Sequence, residues 1–198
     1  EPDSTRTYNY TVGGAFSTKP AVRLTAHTES ASHPRKAELR QRERELTKRV
    51  RESGALYRLQ KKATSFQVGS TRSFKFESFG NVSTQTVTAT LAATSSRAEA
   101  WIDNNTSKIT TAQAQAQIDR FSDATYPVVT SVFGNPSDVD GDGKVLFLYT
   151  ELVDQVGSVA GFYSASSLFS ESDGGDGNQA DMMYIGLEGE RSFFESLL

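Results

Sequence analysis

Asp138-Val139-Asp140-Gly141-Asp142-Gly143 sets carboxylates at alternate positions and closes on a glycine, as in the first half of an EF-hand-type calcium loop. A tight turn at Gly143 would aim three hard oxygen donors, from Asp138, Asp140 and Asp142, at one centre. Position 12 of such a loop falls on Tyr149 instead of a bidentate Glu, and the following residues read as a strand instead of a helix. Calcium and a metal-free polar turn leading into a strand therefore both stay open as readings of these six residues.

Other chemistry is scarce. There is no cysteine, which excludes a disulfide framework, a thiol nucleophile and Cys-ligated zinc. The two histidines, His27 and His33, lie among Ser, Thr and Pro with no second ligand at helical spacing, so a metal role is not assigned to them. Ser172–Asn178 is a second acidic, glycine-rich stretch, read as a mobile surface loop in preference to a metal loop. Glu188, Glu190 and Glu195 read as a solvated face. No H-E-x-x-H occurs, and no catalytic residue can be assigned.

The elements that must carry these groups follow from periodicity. The 198 residues hold 12 Phe, 7 Tyr and 1 Trp, enough for a real core, and no apolar run is long enough to span a membrane. Residues 1–66 carry 14 Lys/Arg against 7 Asp/Glu and residues 67–198 carry 7 against 17, which predicts two physically different segments. In the first, Tyr8–Val12 alternates like a strand ended by Gly13-Gly14. Residues 35–62 predict a basic helix with Leu39, Leu46, Val50 and Tyr57 on one side and Gly54 as a weak point or stop. Nucleic-acid binding by this helix is the less favoured reading, because it has no recognisable binding motif; a solvated helix packing a narrow stripe is preferred.

From residue 66 onward β-branched alternation predicts strands near 72–77 and 84–92, then Ala98–Asp103 closed by Asn104-Asn105. Thr110 or Thr111 should cap a long helix with Ile118, Phe121, Thr125, Val128 or Val129, and Val132 on one face, kinked or divided by Pro127 and ended at Gly134. Val145–Tyr149 reads as a strand buried on both faces. Gly157–Tyr163 and 172–178 read as loops around a short extended piece, and Met182–Ile185 as the last strand. The fold class expected is α+β, a mixed sheet with a long backing helix, preceded by a basic helical segment.

Several short motifs then occur in a telling order: Thr90-Leu91, Ala100-Trp101-Ile102-Asp103, Phe121, Tyr126-Pro127 and Phe133-Gly134. They continue with Asp138–Val145, Gly157–Tyr163 and Asn178-Gln179-Ala180-Asp181-Met182-Met183-Tyr184-Ile185. In this order the chain from about Val82 onward resembles the upstream half of a secreted bacterial zinc metallopeptidase of the hyicolysin type. That resemblance implies a zincin-like domain, in which an edge strand overlies the substrate cleft and the next helix bears H-E-x-x-H. Here the chain ends at Phe193–Leu198, where such a helix would be about to begin, which suggests truncation; zinc would belong only to the part downstream.

The resemblance implies that residues 67–198 are the non-catalytic upstream portion of a secreted or cell-envelope zinc metalloendopeptidase, inactive alone, with 1–66 a basic extension or propeptide. Its partner would be a peptide or protein substrate. Met182, Met183, Tyr184 and Ile185 would form the substrate edge strand, and that open edge would favour self-association. The alternative is a calcium-stabilised binding or inhibitory module without catalytic activity. An H-E-x-x-H in the reading frame just beyond Leu198 would favour the peptidase, and a stop codon the module.

Overall fold

A computed structural model describes residues 34–53, 65–77, 82–156 and 159–188; in the first helix, side chains are described at 41 and from 44 onward. The chain divides into two compact units, Glu1–His33 and Pro34–Leu198. All described residues belong to the second unit, so the expected strand Tyr8–Val12, His27, His33, Gly54, Tyr57, Glu190 and Glu195 lie outside them. The unit boundary falls at 33/34, whereas the charge changes sign at 66/67.

The architecture is α+β. Helix α1 (Pro34–Ser53) is followed by strands β1 (Thr71–Phe76), β2 (Gln85–Thr94) and β3 (Ala98–Asp103). Next come α2 (Thr111–Arg120), a π-helical turn (Phe121–Thr125), α3 (Tyr126–Phe133), β4 (Val145–Tyr149) and α4 (Glu151–Val156). The short strand β5 (Gly161–Tyr163) leads through two 3-10 turns to β6 (Met182–Ile185). The strands form one mixed six-stranded sheet in the order β1-β2-β3-β4-β6-β5. β1, β2 and β3 pair antiparallel, β3, β4 and β6 run parallel, and β5 returns antiparallel on β6.

Alternation sorts the side chains onto two faces. One face gathers Phe74, Phe76, Leu91, Trp101, Leu148, Met182 and Tyr184 beneath Val153 and Val156 of α4. Trp101 is fully buried there, with Phe66 and Phe74 edge-on to its ring at 5.2 and 5.3 Å. The other face, with Ala100, Tyr149 and Ile185, is covered by Ala114 and Ile118 of α2. β4 lies between two parallel neighbours, which is why its sequence is an unbroken apolar run. In α1, Leu46 and Val50 bury against Phe169, while Arg44, Lys48, Arg49 and Arg51 remain on an exposed face.

Two expectations are corrected at this level. Met182–Ile185 is not an edge strand: it pairs with β4 on one side and β5 on the other. The terminal position is taken by Gly161–Tyr163, a segment too short to read as a strand from alternation, and not by a loop as its sequence suggests. This removes the open-edge basis for substrate addition or self-association at Met182, Met183, Tyr184 and Ile185. The parity within the strand is as expected, with Met182 and Tyr184 on one face, Met183 and Ile185 on the other, and Met183 half-buried.

The second correction concerns the long helix. Thr110 caps it in a reciprocal capping box with Gln113, and α2 buries Ala114 and Ile118. Pro127 has no N–H to give the preceding turn, and the chain accommodates it with the π turn just before it, where the Tyr126 N–H reaches the Phe121 carbonyl. One extra residue in that turn rotates the following face by about 100°. The apolar row does not continue inward, because α3 buries no side chain on any face: Val128, Val129, Val132 and Phe133 are 64%, 44%, 69% and 83% exposed. Substituting Val132 by Ser should change stability by less than about 0.5 kcal/mol, whereas Ile118→Ala should cost about 2–5 kcal/mol. Urea titration of both variants checks this; a loss above 1 kcal/mol at Val132, on the order of a buried-site effect, would mean that its face is covered.

Candidate metal centre

The loop between α3 and β4 is shaped by backbone conformations that few residues adopt. Asp138, Gly141 and Gly143 have positive φ of 51°, 71° and 72°. A Cβ at Gly143 would meet nothing within 4 Å, so glycine is needed there for its φ and not for space. Asp tolerates the left-handed region better than most residues, which suits it to position 138. The Gly141 N–H bonds the Asp138 carbonyl at 3.2 Å, and the Gly143 N–H reaches Asp138 Oδ1 at 2.8 Å. The Lys144 N–H donates to Asp142 Oδ1 at 2.8 Å, just before β4 begins.

These turns bring one oxygen each of Asp138, Asp140 and Asp142 to within 4.8 Å of one another, all three residues being half-buried. Asp140 Oδ1 is buried with no hydrogen-bond partner. Burial, followed by the charges of Asp142 and Asp181, pushes the Asp140 carboxyl up to about 7, against its own backbone N–H and, less, Arg72. Asp142 is also raised, chiefly by burial and then by Glu99 and Asp138, against the Lys144 N–H and its ammonium. Three crowded carboxylates with an orphaned buried oxygen are a donor set that fits a hard divalent cation. The remaining ligands would have to be water or carbonyl oxygens. Tyr149 does not contribute: it is buried in β4 on the face covered by α2.

Neighbouring residues hold this loop, and sequence reasoning missed them. Asp181, one residue before β6, accepts the Ser137 N–H and hydroxyl on Oδ1 at 3.1 and 2.6 Å, and the Val139 N–H on Oδ2 at 3.1 Å. Glu99 is buried at the start of β3, where Oε2 accepts the Trp101 indole N–H at 3.0 Å and Oε1 faces Lys144 at 3.5 Å. A single Asp or Glu flanking a strand carries no local signal of such a role. The order Asp181-Met182 in one motif and Asp138–Val145 in another offered the only hint that the two meet.

The other sequence-predicted groups do not join the centre. Asp176 of the 172–178 stretch is turned inward and 3% exposed, which corrects the mobile-loop reading. Its Oδ2 accepts the Ser167 hydroxyl at 2.7 Å, and its Oδ1 the Asn178 N–H at 2.9 Å. Asn178 in turn exchanges two bonds of 2.8 Å with the Lys75 backbone and donates to the Tyr184 hydroxyl at 3.0 Å. Gly175 makes this fold-back feasible, since a Cβ there would lie 2.3 Å from the Phe169 carbonyl. Glu188 is exposed and pairs with Lys108 at 3.0 Å. Among the described residues, Asp138, Asp140 and Asp142 form the one cluster with metal-ligand spacing. Comparison with known protein families and with curated proteins returned no match to this chain.

Proposed function

We propose that this domain is the upstream, non-catalytic sheet-and-helix portion of a secreted bacterial zinc metalloendopeptidase of the hyicolysin type, stabilised by calcium on the 138–142 loop. What supports the reading is that two motifs on which the resemblance rests, 138–145 and 178–185, are tied together by Asp181 through the Ser137 and Val139 amides. A mixed sheet backed by a long helical run agrees with it at the level of fold class. Zinc, carried by a helix downstream of this chain, would polarise the scissile carbonyl and activate water. The residues described here would do none of that chemistry. Asp138, Asp140 and Asp142 would neutralise their mutual repulsion on calcium and so fix the connection between α3 and the centre of the sheet. Among the described residues no helix is long and apolar enough to cross a membrane.

Residues 1–198 alone should hydrolyse no casein, with or without added zinc. The chain extended by its downstream reading frame should do so and lose the activity to a zinc chelator. Chelator-sensitive hydrolysis by 1–198 would refute the proposal. A downstream frame without H-E-x-x-H would also refute it, in favour of a calcium-stabilised module that binds or inhibits.

A further inference from the structure

Strand β1 is an outer strand of the sheet, paired with β2 alone. The Leu91 N–H donates to the Ser70 carbonyl at 2.9 Å, and Thr71 stands opposite Thr90. By that parity Arg72, Phe74 and Phe76 turn their backbone groups toward β2, while Thr71, Ser73 and Lys75 turn theirs away from the sheet. No described residue takes up those of Thr71 and Ser73. Those of Lys75 are taken by one side chain: its N–H donates to Asn178 Oδ1 and its carbonyl accepts from Asn178 Nδ2, both at 2.8 Å. A primary amide sets a donor beside an acceptor, as the backbone of a neighbouring strand does, and so it stands in for one. Asn178 is fixed in that seat. It is buried, the Arg72 guanidinium donates to its carbonyl, and its N–H donates to Asp176 Oδ1 at 2.9 Å. Its Nδ2 also donates to the Tyr184 hydroxyl at 3.0 Å, and that hydroxyl donates to the same Lys75 carbonyl at 3.0 Å. Gly177 and Gln179, with positive φ of 86° and 50°, turn the chain on either side, so one residue rather than a strand reaches the edge.

From this arrangement we propose that Asn178 is an edge plug that closes β1 to strand addition, and that the partner it excludes is β1 of a second copy of this chain. An open sheet edge is a template for another strand, and β1 is complementary to itself. A twofold axis at Ser73 sets β1 antiparallel to its copy, with Ser73 opposite Ser73 and Thr71 opposite Lys75 on either side. These are the outward residues, so each pair exchanges two backbone bonds. Thr71, Ser73 and Lys75 are exposed side chains of one face, and in this register Lys75 meets Thr71, so no like charges stand opposite one another. With Asn178 seated, the Lys75 groups at both ends are already taken. Only the central Ser73 pair is then left, too little to hold two chains together.

The test reads amide hydrogen exchange and association in the 1–198 chain. In wild type the Lys75 amide should exchange about tenfold or more slowly than those of Thr71 and Ser73, although all three point off the same edge. In sedimentation equilibrium Asn178→Ala should associate beyond wild type. Adding Ser73→Pro should abolish that difference, because it removes the central outward N–H at an edge position that tolerates proline. The proline arm separates edge pairing from the stickiness of a loosened core. Asn178→Ala that folds and associates no more than wild type would overturn the proposal, and so would added association that Ser73→Pro leaves in place. Wild-type association that Ser73→Pro abolishes would overturn it too, since the edge would then be open with Asn178 present. If Asn178→Ala does not fold, the wild-type exchange decides: a Lys75 amide as fast as that of Ser73 overturns the plug, and a protected one upholds it.

Discussion

Asp181→Ala should lower the unfolding free energy by about 2–4 kcal/mol, the largest single-site effect expected at the loop. The carboxylate is 6% exposed and serves three donors at once, the Ser137 N–H, the Ser137 hydroxyl and the Val139 N–H. Val139 is itself buried, so its amide would be left with no acceptor and no water, while Ser137, on the surface, can turn to solvent. The cost therefore comes mainly from one stranded amide and from the cavity where the carboxylate had been. Asp181→Asn retains one carbonyl oxygen and should recover part of the loss. Equilibrium urea unfolding of the pair reads this directly. Equal losses for Ala and Asn would assign the effect to charge, and a loss below about 1 kcal/mol, the scale of one net hydrogen bond, would show that the loop does not depend on this anchor.

Calcium should raise the melting temperature of the wild-type chain and leave that of Asp140→Ala unchanged. An ion that binds only the folded state adds about 2.7 kcal/mol at a free concentration one hundred times its dissociation constant. For a domain of this size that corresponds to about 5–10 °C. Without an ion, Asp138, Asp140 and Asp142 repel one another within 4.8 Å, and the buried Oδ1 of Asp140 has no donor. Removing the charge as Asp140→Asn should therefore leave the metal-free protein at least as stable as wild type while abolishing the response to calcium. That opposition of sign separates a ligand from a residue that merely packs. A flat melting curve for wild type at millimolar calcium, or equal shifts in wild type and Asp140→Ala, would remove the site. Magnesium should act more weakly, since it demands a smaller and more regular shell than this loop provides.

Local chemistry carried much of the outline. The alternation in Thr86–Leu91 marks a strand because β-branched and apolar residues at every second position can bury only one face. Thr110 with Gln113 marks a helix start because the two side chains satisfy each other's backbone donors. The unbroken apolar run of Val145–Tyr149 requires cover on both faces, and the spacing of Asp138, Asp140 and Asp142 with Gly143 already contains the turn that gathers them. Each of these is decided within a few residues, by forces that act at the range of a turn or a pleat.

Tertiary structure decided the rest, for reasons that no local pattern contains. Whether Met182–Ile185 lies inside the sheet or at its edge depends on a return by Gly161–Tyr163, two dozen residues away in sequence, whose three residues are too few to show a period. Whether α3 is covered depends on what the assembled chain packs over it, and no face of it is buried, so Val128 and Val132 look outward although their spacing is that of a core. Asp176 reads as part of a surface loop and Asp181 carries no local signal of burial, yet both are buried, because donors brought by other segments await them. Glu99 meets Lys144, at the end of the acidic loop, only through the pairing of β3 with β4. Burial changes what a charge costs and what it can bind, and burial is a property of the assembled sheet rather than of any one segment.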